Sequence, residues 1–161
     1  MLTRLLLSLA LAASAAIAED WPQWRGPRGD GRSTESSFPT TWSKADNVAW
    51  RTELPGEGHA SPIVFGGKVF TVAALPETGE RVLLCLDRTT GRVLWKQTVV
   101  KAPAEHIHRE NSHASSTPAC DGERVFCTFL DGKDVVVSAY SLDGKLLWQK
   151  RPGIFTSVHG F

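Results

Sequence analysis

The sequence predicts an all-β fold built from repeated four-stranded antiparallel sheets, and three observations carry that prediction. Fourteen Gly, nine Pro and six Trp stand beside a single Met in 161 residues, which suits a turn-rich β protein and not a helical bundle. The chain also repeats itself. Ser61-Pro62-Ile63-Val64-Phe65-Gly66-Gly67-Lys68-Val69-Phe70 lies over Thr117-Pro118-Ala119-Cys120-Asp121-Gly122-Glu123-Arg124-Val125-Phe126 at an offset of 56 with four identities, and Gly91-Arg92-Val93-Leu94-Trp95 lies over Gly144-Lys145-Leu146-Leu147-Trp148 at an offset of 53. Each copy breaks into four runs rich in Val, Leu and Phe, separated by Gly-Gly, Asp-Gly or Thr-Gly turns. A repeat of this length with four strands and a recurring Trp is the pattern of a β-propeller blade, which cannot cover both its faces alone and so needs neighbours.

The elements follow in order. Residues 1–18 read as a signal peptide: Arg4 gives a positive start, Leu5–Ala13 an apolar stretch, and Ala16-Ile17-Ala18 a small-x-small cleavage site, with cleavage expected after Ala18. Leu5–Ala18 is shorter than the roughly 20 residues that span a bilayer, so no transmembrane segment is expected. The mature chain would start at Glu19 with 17 basic and 17 acidic side chains, a balance that speaks against nucleic acid as a partner. Residues 19–45 form an N-terminal arm whose Trp21, Trp24 and Trp42 are expected to pin it to the outside of the ring.

Residues 46–161 carry the repeats. Asn47–Leu54 matches the last strand of each copy, with Trp50 in the place of Trp95 and Trp148, so 46–54 is expected to be an orphan outer strand that closes a blade from the far end of the chain. One blade covers 59–99, with strands at 61–65, 68–74, 81–86 and 92–99. A second covers 113–151, with strands at 116–120, 124–129, 134–140 and 145–150. Residues 155–161 resemble the start of another. Because a closed ring needs typically 4–8 blades, the sequence is expected to be the truncated N-terminal part of a propeller.

Leu86-Asp87-Arg88-Thr89-Thr90-Gly91-Arg92-Val93-Leu94-Trp95 resembles the L-D-x-x-T-G-x-x-x-W signature of pyrroloquinoline-quinone-type (PQQ-like) propeller repeats, and Ala139–Trp148 is similar without the Thr. Asp20–Pro27 with Gly29-Asp30-Gly31 resembles the opening of large exported bacterial members. The resemblance makes Trp50, Leu86, Asp87, Thr90, Gly91, Trp95, Gly144 and Trp148 structural repeat positions. One branch of this superfamily, the quinoprotein dehydrogenases, binds pyrroloquinoline quinone with Ca²⁺ beside a catalytic Asp and adjacent cysteines. No Cys-Cys and no matching calcium motif occurs here, so no catalytic residue is assigned. Another branch, the propeller lipoprotein of the outer-membrane barrel-assembly machinery, is a protein-binding scaffold; this chain has no Cys at the cleavage point.

Five histidines attract chemistry. His59, His113 and His159 each precede an expected inner strand, and as a ring at one mouth of the channel they would be candidates for binding a cofactor, a metal or an anionic ligand. His106 and His108 share one face of an extended segment and, with Glu105 and Glu110, are candidate ligands of a divalent ion. Repeat inheritance and a solvated loop are the plainer explanations and are preferred. Cys85, Cys120 and Cys127 are odd in number for an exported protein; Cys120 and Cys127 stand four strand ranks apart, too far for a disulfide, and all three are expected as free thiols in strands. Asp87 and Asp143 stand beside turns and are expected to cap backbone there. The Arg25–Arg32 segment lacks the phosphate-loop pattern.

The expected function is an exported, non-catalytic binding or assembly scaffold, in the periplasm or outside the cell, holding a protein or small molecule at the propeller funnel or rim. A PQQ-dependent dehydrogenase with its active-site residues downstream, and a carbohydrate-binding propeller using the arm tryptophans, are the alternatives.

Overall fold

The computed structural model describes residues 18–156, and among them there is no helix. Eight strands form: β1 Ile63–Phe65, β2 Lys68–Leu75, β3 Glu80–Asp87, β4 Val93–Lys101, β5 Ala119–Cys120, β6 Arg124–Asp131, β7 Asp134–Ser141 and β8 Leu146–Ile154. They make two four-stranded antiparallel sheets, ordered β1-β2-β3-β4 and β5-β6-β7-β8, which are the two blades the repeat predicts. The strands fall where the alternating runs place them, with two differences. The first strand of each sheet starts late, because Pro62 and Pro118 have no N–H to give a ladder. The last strands run on to Lys101 and Ile154.

Turn chemistry sets the register. Phe65 pairs Lys68 across Gly66-Gly67, both at positive φ, as a two-residue hairpin of this hand requires. Asp131 pairs Asp134 across Gly132-Lys133, where Gly132 alone takes positive φ.

The two sheets are locked face to face. Ile63, Phe70, Ala74, Leu83 and Cys85 of the first blade share one buried core with Val125, Cys127, Phe129 and Tyr140 of the second. Gln149 of β8 donates from Nε2 to the Val99 carbonyl of β4 at 2.9 Å. Trp95 completes the lock. Its indole N–H donates to the Leu142 carbonyl at 3.2 Å, and its ring lies so close to Gly144 that a Cβ there would stand 2.8 Å from it. Trp50 repeats this geometry one step earlier, donating to the Arg88 carbonyl at 2.8 Å against Gly91, where a Cβ would overlap its ring.

Trp50 therefore docks on the first blade as Trp95 docks on the second. Residues 46–54 themselves join neither sheet: a strand exists only with a ladder partner, and both sheets already have their fourth strands. The expected signal peptide up to Ile17, and His159 with the last residues of the expected third blade, lie outside the described residues.

The arm departs from expectation. Trp21 does anchor it, exchanging backbone hydrogen bonds of 2.7 and 2.9 Å with Val64, while the Pro22 carbonyl accepts from the Cys120 amide at 2.8 Å. The arm thus begins along the first strands of both blades and not on their outer flank. Trp24 and Trp42 pin nothing: they are 65% and 71% exposed. Arg25 lies over the Trp24 ring, 5.7 Å from its centroid, and a tight turn from Ser43 to Asp46 (2.9 Å between Ser43 Oγ and Asp46 Oδ2) follows Trp42 directly.

Candidate functional site

The buried stretch of β3, Arg81–Leu86, contains one charged residue, Arg81. Leu83 and Cys85, two and four residues on, face the core between the blades, and the period of a strand carries Arg81 to the same face. Its side chain is 1% exposed. A guanidinium there needs acceptors, and the connection between the blades supplies them. Glu105 Oε2 lies 3.2 Å from Arg81 Nη2, with the carbonyls of Gly79 and Pro103 at 3.4 and 3.5 Å, while Arg81 Nε has no partner. Glu105 is in turn touched by His113, whose Nε2 lies 2.9 Å from the Glu105 carbonyl and 3.9 Å from its carboxylate.

Arg81, Glu105 and His113 thus form one cluster, with Glu105 12% and His113 10% exposed. Breaking one side of such a buried pair costs about 3–5 kcal/mol, enough to hold the connection in place. Glu105 and His113 wall a cavity of about 240 Å³, also lined by Ser112, Ser115, Thr128, Leu130 and Phe155.

A larger cavity of about 670 Å³ lies where Trp50–Pro62 crosses the first blade, over Val69, Thr71, Ala73 and Leu86. His59 lines it, exposed. His59 and His113 therefore open onto different cavities, although the His59 amide donates to the Ala114 carbonyl at 3.0 Å. His106 and His108 are exposed, and His108 Nδ1 accepts the Glu110 amide at 3.2 Å. No three His, Cys, Asp or Glu side chains converge as a metal site among the described residues.

The thiols are free. Burial pushes Cys127 up to about 12, and burial with the nearby Asp143 and Asp87 charges pushes Cys85 up to about 12 against the pull of Lys68. Burial raises half-buried Cys120 as well. These are packing groups, since the thiolate is the nucleophile. The donor set of the described residues does not fit pyrroloquinoline quinone with Ca²⁺, which needs cationic donors for its carboxylates and an acid cluster for the ion: the buried guanidinium is taken by Glu105.

Asp87 caps its turn as expected. Its Oδ1 accepts from Thr90 Oγ1 at 2.8 Å and from the Thr90 and Thr89 amides at 2.7 and 3.0 Å. The Thr90 bonds, ahead of the attraction of Arg92, hold its carboxyl below the usual range. Asp143 does not cap. It is exposed, 3.8 Å from Lys68, and Ser141 Oγ accepts the Lys145 amide at 3.2 Å instead. In the ladders Phe70 pairs Cys85 and Phe126 pairs Ala139, so the equivalent of Asp87 is Ser141, which the offset of the later landmarks conceals.

Sequence reasoning missed Arg81 and the part it plays with Glu105 and His113. The available signal was one arginine set directly against the apolar run Val82–Leu86.

Residues 41–155 match the family described as outer membrane protein assembly factor BamB. Among solved structures, BamB from Moraxella catarrhalis is similar, at 21% identity and a TM-score of 0.49, over 70% of this chain and 30% of that one. A quinohemoprotein alcohol dehydrogenase, ADHIIG from Pseudomonas putida HK5, is similar at 23% identity and a TM-score of 0.39, over 56% of this chain and 12% of that one. The chain thus spans less than a third of either. No curated protein matches it. No helix among the described residues is long and apolar enough to cross a membrane.

Proposed function

The chain belongs to the family of the outer membrane protein assembly factor BamB, and from that premise we propose that it acts as an exported protein-binding scaffold on the periplasmic side of the envelope, its signal peptide removed after Ala18. The observation that carries this is the use the fold makes of its buried ionic cluster. Arg81, Glu105 and His113 bond one another and backbone carbonyls, so their polar groups hold the connection between the blades rigid beside two open cavities. A fixed surface with open cavities is what a scaffold presents to a partner. Residues 46–54, docked through Trp50, serve in this reading as the outer strand of a further blade.

Site-specific photocrosslinkers at His59 and Ser115, on the two cavity rims, test it in the cell envelope. A discrete adduct with one envelope protein, absent from a crosslinker at Lys150, is expected. Equal labelling at all three positions, or dye reduction with an alcohol or aldose after addition of pyrroloquinoline quinone and Ca²⁺, overturns it.

The exposure of Trp24 and Trp42 favours a second reading, carbohydrate binding on the arm, because an exposed indole is a platform for the apolar face of a sugar. A glycan-array signal lost in both Trp24→Ala and Trp42→Ala would carry that reading instead.

A further inference from the structure

In the first blade the chain covers an edge that the second blade leaves open. Strand β1 reaches only to Phe70 of β2. Beyond it, Glu57 pairs with Ala74 as an added antiparallel rung, with hydrogen bonds of 2.9 Å from the Glu57 amide and 2.8 Å from the Ala74 amide. This close approach requires glycine on both sides of Glu57. A Cβ on Gly56 would overlap the Ala74 carbonyl oxygen, and one on Gly58 would stand 2.9 Å from that of Val72.

The offset of 56 carries Gly56-Glu57-Gly58 onto Ser112-His113-Ala114, and Val72 and Ala74 onto Thr128 and Leu130. Both glycines are lost. With Cβ atoms at 112 and 114 the segment cannot seat, and among the described residues no backbone hydrogen bond joins 112–114 to β6. His113 turns to Glu105 instead. The Leu130 amide and carbonyl point away from β7, because the Asp131–Asp134 pair next to it closes a two-residue hairpin and hydrogen-bonded pairs alternate along the ladder. The cavity beside this edge is lined by Ser112, His113, Thr128 and Leu130, the residues the substitution separates.

We propose that this edge of β6 receives an extended Gly-x-Gly segment of a partner polypeptide, which adds the rung that the chain supplies to itself in the first blade. Edge addition draws affinity from main-chain hydrogen bonds and specificity from alternate side-chain positions. Here the specificity is steric: the residues flanking the rung must lack a Cβ, and the central side chain lies beside the His113–Glu105 wall. The inference rests on the scaffold reading and names the kind of segment that this surface takes.

The chain's own sequence supplies the probe. A synthetic peptide of residues 54–61, LPGEGHAS, titrated into the purified chain is expected to bind saturably and to slow exchange of the Leu130 amide. Replacing Gly56 and Gly58 of the peptide by Ala should weaken binding by about tenfold or more, the scale of a lost backbone hydrogen bond together with steric exclusion. In the chain, S112G with A114G should let its own connection seat, protecting Leu130 without peptide and abolishing peptide binding. Equal binding of the Gly and Ala peptides, or binding that leaves Leu130 exchange unchanged, overturns the proposal. Crosslinks that persist while the peptide fails to bind remove this proposal and leave the scaffold reading standing.

Discussion

The two blades come from one repeat and differ most in how far they are enclosed. In β2 the five residues Phe70–Ala74 are buried in succession, and in β3 the six from Arg81 to Leu86. In β6 burial alternates, with Val125, Cys127 and Phe129 inside and Phe126, Thr128 and Leu130 only half-buried. The first blade lies between the second and the segment 50–62; among the described residues the second has a neighbour on one face. Continuous and alternating burial are the two ordinary patterns for sheets covered on both faces or on one. The difference is therefore a property of position in the stack and not of intrinsic strand preference.

The largest expected effect sets a doubly covered residue against a singly covered one. Leu83→Ala, at a fully buried site, should destabilise the chain by about 4 kcal/mol, toward the upper part of the range for Leu→Ala in cores. Val137→Ala, half-buried in the other blade, should lose about 1 kcal/mol. Denaturant melts of both variants check this, and equal losses would break the comparison.

Next comes the buried ionic cluster, which Arg81 of the first blade anchors. Arg81→Met removes the partner of Glu105 and should cost about 3 kcal/mol, the low end for a buried pair because Glu105 keeps some contact with water. The double variant Arg81→Met with Glu105→Gln should recover part of that loss in a double-mutant cycle; strict additivity would mean the pair is not coupled.

A smaller contrast separates two glycines at positive φ. Gly91→Ala meets the Trp50 ring, whereas Gly132→Ala meets nothing within 4 Å. The first should lose about 2 kcal/mol or more, the second about 1 kcal/mol from backbone strain alone. Trp fluorescence should shift only in the first, as its indole is displaced.

Thiol reactivity gives the smallest contrast and no change in stability. At pH 8, Cys85 and Cys127, both near 12, hold a thiolate fraction of about one in ten thousand. Half-buried Cys120 should be alkylated first, and the other two only on unfolding. Mass spectrometry of the iodoacetamide-treated native chain checks the order.

Much of this architecture was legible. The Gly66-Gly67, Asp121-Gly122 and Asp143-Gly144 turns marked where β1 meets β2, β5 meets β6 and β7 meets β8, because a tight hairpin is specified by a few adjacent residues; the second closes at Gly122-Glu123, which puts Cys127 two ranks from Cys120 and not four. The role of Trp95 was legible too, since recurrence in phase distinguishes a wedge between blades from a chance aromatic. The Arg81–Glu105–His113 cluster was not. Arg81 and Glu105 are 24 residues apart, and only the docking of the connection against β3 brings them together. In the sequence Glu105 stands out only as a neighbour of His106 and His108, which the fold leaves in solvent. The arm misled for a related reason: three tryptophans suggest three anchors, but only Trp21 lies where a strand edge can receive its backbone.

The second copy of the repeat lost two glycines, and among the described residues one strand edge is left uncovered. Amide exchange of the unmodified chain, read at Ala74 and Leu130, tests that most directly. The Ala74 amide, bonded to Glu57, is expected to exchange slowly, while the equivalent Leu130 amide exchanges much faster than its neighbours in the β6–β7 ladder. Equal protection at the two positions would contradict it.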